Sequence, residues 1–216
     1  MENHVKKHFV ERMIEQILGI YKKHMDISDD QYAVLQYSIR LLISSILSYA
    51  FTLGLALFLQ IFPNVLVIIL TVSVYRAFSG GAHCSCMGNC AIYGALTMNA
   101  IGLISKFFNP NTSVMLSIIV FAFAFSLWAI AKYAPADTPG KPISSKVQYQ
   151  KLKRMSIVVL CTWLFGCIVW YSIFNTVNII VFASTMAMIW QSYTLTSNGY
   201  RFCHFMDSII SKLRFK

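Results

Sequence analysis

Charged side chains are scarce in this sequence. Lys, Arg, Asp and Glu make up 12% of its 216 residues, whereas 57% of the residues are hydrophobic. An average soluble domain carries about twice that charged fraction, and so few polar side chains could not cover the surface of a soluble fold of this size. No linker-like stretch divides the chain. The composition therefore excludes a soluble domain and predicts one membrane domain over residues 1–216.

Acidic residues are the scarcer of the charged residues, eight against 18 Lys and Arg, which gives a net charge of +10. A basic balance is common in proteins that bind nucleic acid. Here the basic residues lie in short gaps between apolar runs, a pattern typical of contacts with anionic lipid headgroups and of membrane orientation. We therefore expect anionic membrane lipids as partners and no nucleic acid.

The pattern of a cleavable signal peptide is also lacking. The first forty residues are polar or amphipathic, without the short apolar core and small-residue cleavage site of such a signal. Apolar residues between Val5 and Tyr21 recur at helical spacing among charged ones. This spacing predicts an amphipathic helix that lies on the inner leaflet or packs on cytoplasmic loops. We expect residues 1–40 to be cytoplasmic and the apolar run from Leu41 to be a permanent span.

Long apolar runs fill most of residues 41–197. A transmembrane helix needs about 20 apolar residues. Six runs are candidates, of which the second is the shortest: residues 41–62, 64–77, 90–107, 114–133, 155–174 and 177–195. The predicted fold class is all-α, a polytopic bundle of about six transmembrane helices with the amphipathic helix before it and a cytoplasmic tail over residues 198–216.

The positions of Lys and Arg predict the orientation of this bundle. With six spans and a cytoplasmic N-terminus, all of the 18 basic residues except Lys106 fall on the inside, as the positive-inside rule requires. A five-span arrangement would export the basic block around Lys151. We expect a multi-pass protein of the cell membrane with both termini in the cytoplasm.

Reactive side chains crowd together in one stretch, residues 76–90, which reads RAFSGGAHCSCMGNC. A cysteine thiolate is a strong nucleophile, and a nearby histidine can take the proton of the thiol. In one continuous helix His83 and Cys90 would lie about 10 Å apart along the axis. The chain between them must therefore fold back, which the glycines of this stretch permit. Spacing alone leaves Cys84 and Cys86 as competing nucleophiles.

Arg76 and the cysteines admit other interpretations. Arg76 is a candidate contact for a substrate carboxylate or a developing oxyanion, or it anchors the end of a span by snorkelling. Cys161 and Cys167 lie inside an apolar run and are typical of small core residues. The remaining cysteines lie in segments expected to be cytoplasmic, where thiols stay reduced, so a disulfide framework is not expected.

Two other classes of protein compete with a cysteine protease on the residues alone. A non-enzymatic metal-binding sensor or carrier is the main alternative, since four residues are of the kind that zinc binds: His83, Cys84, Cys86 and Cys90. The HCSC spacing is, however, tighter than usual for such sites. A peptide exporter would carry ionisable residues inside its spans, and the six apolar runs contain no Asp or Glu.

Two motifs resemble those of a known family. Arg76, Gly81, His83 and Cys90, at this spacing after a hydrophobic segment, resemble the signature of the accessory gene regulator protein B (AgrB-like) family. The stretch YAPAD at residues 133–137, followed by KPI at 141–143, is similar to the second shared segment of that family. The resemblance covers most of the chain, from the N-terminal helix through the sixth span.

The resemblance implies a membrane-embedded cysteine endopeptidase, a thiol protease that processes the precursor of a cyclic autoinducing peptide in Gram-positive quorum sensing. Cys90 would be the nucleophile and His83 its base, at the cytoplasmic side of the membrane. An acyl-enzyme thioester would then be captured by a thiol or hydroxyl of the peptide, which gives a thiolactone or a lactone. Arg76 occupies the position of the family's arginine.

The resemblance also bears on the remaining site residues and partners. Other members can carry several lysines in the second segment, where this chain keeps Lys141 as a candidate substrate contact. In the predicted topology Asp137 lies on the same side as His83, so it is a candidate to orient the histidine, as are Asn89 and a backbone carbonyl. The expected partner is the precursor peptide, with a homodimer as a further option, and no cofactor or metal is expected.

Overall fold

The computed structural model describes residues 16, 18–19, 21, 28–108, 110–136, 143 and 145–214. Within these ranges every element is helical. The seven α-helices in the described ranges are α1 (Asp29–Phe58), α2 (Phe62–Ser79), α3 (Met87–Phe107), α4 (Thr112–Tyr133), α5 (Lys146–Phe174), α6 (Ile179–Leu195) and α7 (Ser197–Arg214). The expected amphipathic helix before the first span lies mostly outside the described residues. The expected tail over residues 198–216 is helical up to Arg214.

The chain divides into two compact units, Met1–Ala50 and Phe51–Lys216, and α1 runs across their boundary. In the first unit, α1 begins with a reciprocal cap. Ser28 N donates to Gln31 Oε1 at 3.1 Å, and Gln31 N donates to Ser28 Oγ at 3.3 Å. This exchange satisfies donors that the first turn of a helix leaves free, so the start of α1 is encoded by the local sequence.

The all-α polytopic prediction is confirmed, whereas the count of six spans is only approximate. In the described part of the chain, α2, α4, α5 and most of α3 are long and apolar enough to cross a membrane. A fifth candidate is the pair formed by α6 and α7, which meet at a bend of 91°. The first predicted span corresponds to a shorter apolar helix, Ser45–Phe58, at the end of α1.

Helix α6 is the centre of the second unit. It contacts α2, α3, α4 and α7, and ten of its 17 residues are buried. Ala183 and Ala187 are fully buried beside Ile68, Val72 and Ile101, because small side chains let membrane helices approach closely. The first half of α6 thereby packs closely on α2 and α3.

Buried hydroxyl groups join the same helices. Tyr75 of α2 and Ser192 of α6 share a hydrogen bond of 3.2 Å, and the Ser192 hydroxyl donates to Ser126 of α4 at 2.7 Å. Polar contacts between membrane helices typically contribute about 0.6 kcal/mol each. Their contribution to stability is therefore small, but they fix the register in which α2, α4 and α6 pack.

Candidate active site

The segment between α2 and α3 leaves helical geometry at Gly80 and regains it at Met87. Two backbone hydrogen bonds hold this loop against neighbouring elements. Ala82 N donates to Thr194 O at the end of α6 at 3.0 Å, and Ala136 N, after α4, donates to Ser79 O at 2.8 Å. Residues 76–90 are therefore not one continuous helix.

Gly80 makes the turn out of α2. Its φ of +70° lies in the left-handed region, and an added Cβ would lie 2.3 Å from the carbonyl oxygen of Ala136. Both the backbone conformation and the close approach require glycine. The segment after α4 thus packs directly on the first residue of the loop.

Replacing Gly80 with alanine is expected to destabilise the protein by about 1–3 kcal/mol, because the loop must give up either its backbone conformation or its contact with Ala136. Thermal unfolding in detergent measures the change. Gly94→Ala in α3 is the matched control, since a Cβ there meets nothing within 4 Å. Equal melting temperatures for the two variants would contradict the assignment.

Arg76 braces the loop from the last turn of α2. Its Nη2 donates to Ala82 O, and its Nη1 donates to Gln191 Oε1 at 3.4 Å. Gln191 is fully buried on α6, and its Nε2 donates to Gly80 O at 2.8 Å and to Ser79 Oγ at 3.2 Å. At least two of the guanidinium donors therefore hold the loop in place.

Sequence reasoning did not single out Gln191. The one signal is an amide inside an otherwise apolar run, where an unpaired polar group would be costly. The positions of the predicted helices do not identify the atoms that this amide bonds, because its partners are more than 100 positions away in the sequence.

Cys90 lies in the first turn of α3, which begins at Met87. Its backbone N–H donates to Cys86 O at 3.1 Å, and its side chain is half-buried. The amino end of an α-helix carries a partial positive charge that favours a nearby thiolate. The position of Cys90 therefore suits a nucleophile better than that of a cysteine in the middle of the helix.

Interactions of three predicted site residues converge on this helix end. The exposed side chain of His83, the neighbouring Cys84 and the charge of Arg76 all act on the Cys90 sulfur. A thiol with a histidine partner and a nearby cation is the arrangement that activates a cysteine for nucleophilic attack.

Cys84 differs from Cys90 in its environment. Its Sγ lies 3.7 Å from Sγ of Cys203 on α7. Hydrogen bonds to Cys203 and Cys90, and then burial, raise the pKa of the Cys84 thiol above its ordinary value. A thiol that keeps its proton is a poor nucleophile. Cys90 is therefore a better candidate nucleophile than Cys84. Cys86 is exposed, and all six cysteines are free thiols.

Two predicted site residues, Asp137 and Lys141, lie outside the described residues. Asn89, the other side chain considered as an orienting group, does not bond His83: its buried Oδ1 accepts no hydrogen bond from any described residue. Asn89 Nδ2 donates to Asp207 Oδ1 at 2.7 Å and to Ser211 Oγ at 2.8 Å, both on α7. The contact between the reactive segment and α7 was not predicted.

The metal-binding alternative gains no support. Among the side chains that the structure describes, no group of three or more His, Cys, Asp or Glu has the arrangement needed to hold a metal ion. The Sγ of Cys84, next to His83, lies instead 3.7 Å from Sγ of Cys203 on α7.

Comparisons with known proteins agree with the two motifs. The family model Accessory gene regulator B matches residues 14–195. A putative AgrB-like protein of Clostridium perfringens (strain SM101 / Type A) is 26% identical over 212 residues, which cover 94% of this chain and 99% of the relative. Accessory gene regulator protein B of Staphylococcus aureus (strain MRSA252) is 25% identical over 188 residues, or 85% and 97% of the two chains. No solved structure matches.

Proposed function

This chain belongs to the accessory gene regulator B family, and from that premise we propose that it is a membrane-embedded cysteine endopeptidase that cleaves the precursor of a cyclic autoinducing peptide. The observation that carries the proposal is the position of Cys90 in the first turn of α3, where His83 and the charge of Arg76 act on its sulfur. The family relationship supports a role in autoinducer processing, and the geometry supports the chemistry.

The first half-reaction transfers an acyl group to Cys90. His83 takes the thiol proton, and the thiolate attacks the carbonyl carbon of the precursor's scissile peptide bond. When the tetrahedral intermediate collapses, the C–N bond breaks and His83 returns the proton to the leaving nitrogen. The carboxyl-terminal fragment departs, and the remaining peptide is held as a thioester on Cys90.

The second half-reaction closes the ring. A thiol or hydroxyl of the bound peptide gives its proton to His83 and attacks the thioester carbonyl. The bond to the Cys90 sulfur then breaks, and the free thiolate is restored. Exchange of one thioester for another is nearly balanced, so closing a thiolactone from the acyl-enzyme is not steeply uphill. Water must be excluded meanwhile, since it would give a linear acid.

We assign the developing oxyanion to the amino end of α3, because amides at a helix amino end stabilise an oxyanion well. Because Arg76 directs donors to Ala82 and Gln191, its charge acts at a distance and it also holds the loop.

The membrane places substrate and site together. The basic residues of the loops and of the chain's two ends predict a cytoplasmic site facing anionic lipid. An amphipathic precursor would bind the same leaflet and reach Cys90 by diffusion in two dimensions.

Mass spectrometry tests the proposal most directly. The protein purified in detergent is mixed with the synthetic precursor peptide encoded beside its gene, and the mixture is quenched in acid at early times. We expect a covalent adduct on Cys90 and a released carboxyl-terminal fragment. An adduct mapped to Cys84 or Cys86 would reassign the nucleophile, and a cleaved peptide without any adduct would argue against an acyl-enzyme.

A further inference from the structure

Helix α7 lies beyond the residues that the family model matches, yet it contacts α3 and α6. Its inner face contributes buried Cys203 and Ile210 to an apolar cluster with Ala82 of the loop and Tyr93 of α3. Helix α7 therefore packs both on the loop before His83 and on α3 after Cys90.

Asp207 makes the polar part of this contact. It lies on the inner face of α7 and is 7% exposed. Its Oδ2 accepts a hydrogen bond from Ser85 N at 3.0 Å, and its Oδ1 accepts one from Asn89 Nδ2 at 2.7 Å. Ser85 follows His83 by two positions and Asn89 directly precedes Cys90. One carboxylate thus bridges both ends of the segment that brings the histidine to the cysteine.

The contact is strong and directional. A buried carboxylate is costly unless it is hydrogen-bonded, and hydrogen bonds to a charged acceptor are about twice as strong as neutral ones. Asn89 Nδ2 is held further by Ser211 Oγ at 2.8 Å, four positions after Asp207 on the same helix. The network fixes where the loop lies relative to α3.

We propose that α7 is a clamp on the His83–Cys90 segment and that Asp207 is its positioning residue. Asp207 acts through Ser85 and Asn89, which set the approach of His83 to the Cys90 sulfur. Small displacements of reacting groups lower rates steeply. The part of this inference that concerns peptide cleavage rests on the proposed function, whereas the part that concerns Cys90 reactivity does not.

The test compares Asp207→Asn with Ser208→Ala, a change at an exposed position of the same helix. The first readout is the rate at which iodoacetamide alkylates Cys90, followed by mass spectrometry. The second is the cleavage rate at saturating peptide, divided by the number of titratable Cys90 thiols. We expect Asp207→Asn to lower both by about tenfold or more, with little change in KM, and Ser208→Ala to leave both within twofold.

The direction of the change separates two roles for the carboxylate. If Asp207 acted only through its charge, its removal would favour the Cys90 thiolate and speed alkylation. If it positions the loop, removal slows alkylation. An unchanged or faster rate in Asp207→Asn overturns the clamp, and so does a loss that vanishes when the rate is divided by the number of intact sites.

An exchange of the two partners provides the second variant. In Asn89→Asp combined with Asp207→Asn, the amide on α7 can donate to the carboxylate on α3 while its oxygen accepts from Ser85 N. We expect this double variant to react faster than Asp207→Asn alone. A rate loss in the double variant equal to the combined losses of the two single variants would count against the clamp. If Asp207→Asn does not accumulate in the membrane, the same comparison is made between the double variant and Asn89→Asp alone.

The two hypotheses fail separately. If wild-type protein does not cleave the precursor but Asp207→Asn still slows alkylation of Cys90, the proposed function falls and the clamp stands. If wild-type protein cleaves the precursor and Asp207→Asn matches it in both readouts, the clamp falls and the proposed function stands.

Discussion

Cys90→Ala should abolish cleavage of the precursor while the protein still inserts into the membrane. Loss of the nucleophile costs proteases that form an acyl-enzyme about a million-fold in kcat, because the intermediate cannot form without it. Hydrogen bonds to Cys203 and Cys90 raise the pKa of the neighbouring Cys84 thiol, so we do not expect it to replace Cys90. The measurement is release of the carboxyl-terminal fragment under single-turnover conditions.

The control for this variant is Cys86→Ala, a change of the same size at an exposed cysteine four positions earlier. We expect it to keep its rate within a few-fold of wild type. Activity in Cys90→Ala equal to that of Cys86→Ala would refute the assignment of Cys90. A double variant that also lacks Cys84 would then show which thiol reacts.

His83→Gln should lower the rate of acyl-enzyme formation by about 10²- to 10⁴-fold, the contribution typical of a general base. The exposed His83 interacts with the half-buried Cys90 sulfur, so glutamine keeps a polar side chain there but removes the group that takes the proton. The rate of the variant should then climb with pH, since hydroxide must form the thiolate instead. Single-turnover rates across a pH series measure both effects.

His204→Gln is the matched control for the histidine, because His204 is an exposed histidine on α7. It should leave the rate and the shape of the pH profile close to those of wild type. A His83→Gln protein whose profile keeps the wild-type shape would show that another group acts as the base.

Hydropathy predicts the middle of each membrane helix better than its ends. The run at residues 114–133 corresponds to α4 almost residue for residue, because the helix is apolar to its last turn. Helix α5 begins at Lys146, nine positions before the run at 155–174. Its first turns are polar and leave no mark in a hydropathy profile. Their start is instead signalled by Ser145, whose Oγ accepts from Gln148 N at 3.1 Å.

The residues of the candidate site also differ in whether the sequence predicts them. Spacing and chemistry identify His83 and Cys90, since both lie in one short motif. The braces Gln191 and Asp207 lie more than 100 positions from the atoms they bond. No periodicity along the chain pairs such residues, because their meeting depends on how α6 and α7 pack on the loop. Asp207 stands out only as an acidic residue in an amphipathic stretch, which a surface position explains equally well.

Two backbone hydrogen bonds described above also bring three helix ends to one level. Because Ala136 N bonds Ser79 O and Ala82 N bonds Thr194 O, the carboxyl ends of α2, α4 and α6 lie side by side. In a membrane, an even number of crossings would then separate successive ends, which α3 with α4 and α5 with α6 can supply as one span each. We expect a reagent that cannot pass the bilayer to reach the reactive loop and α7 from one side only.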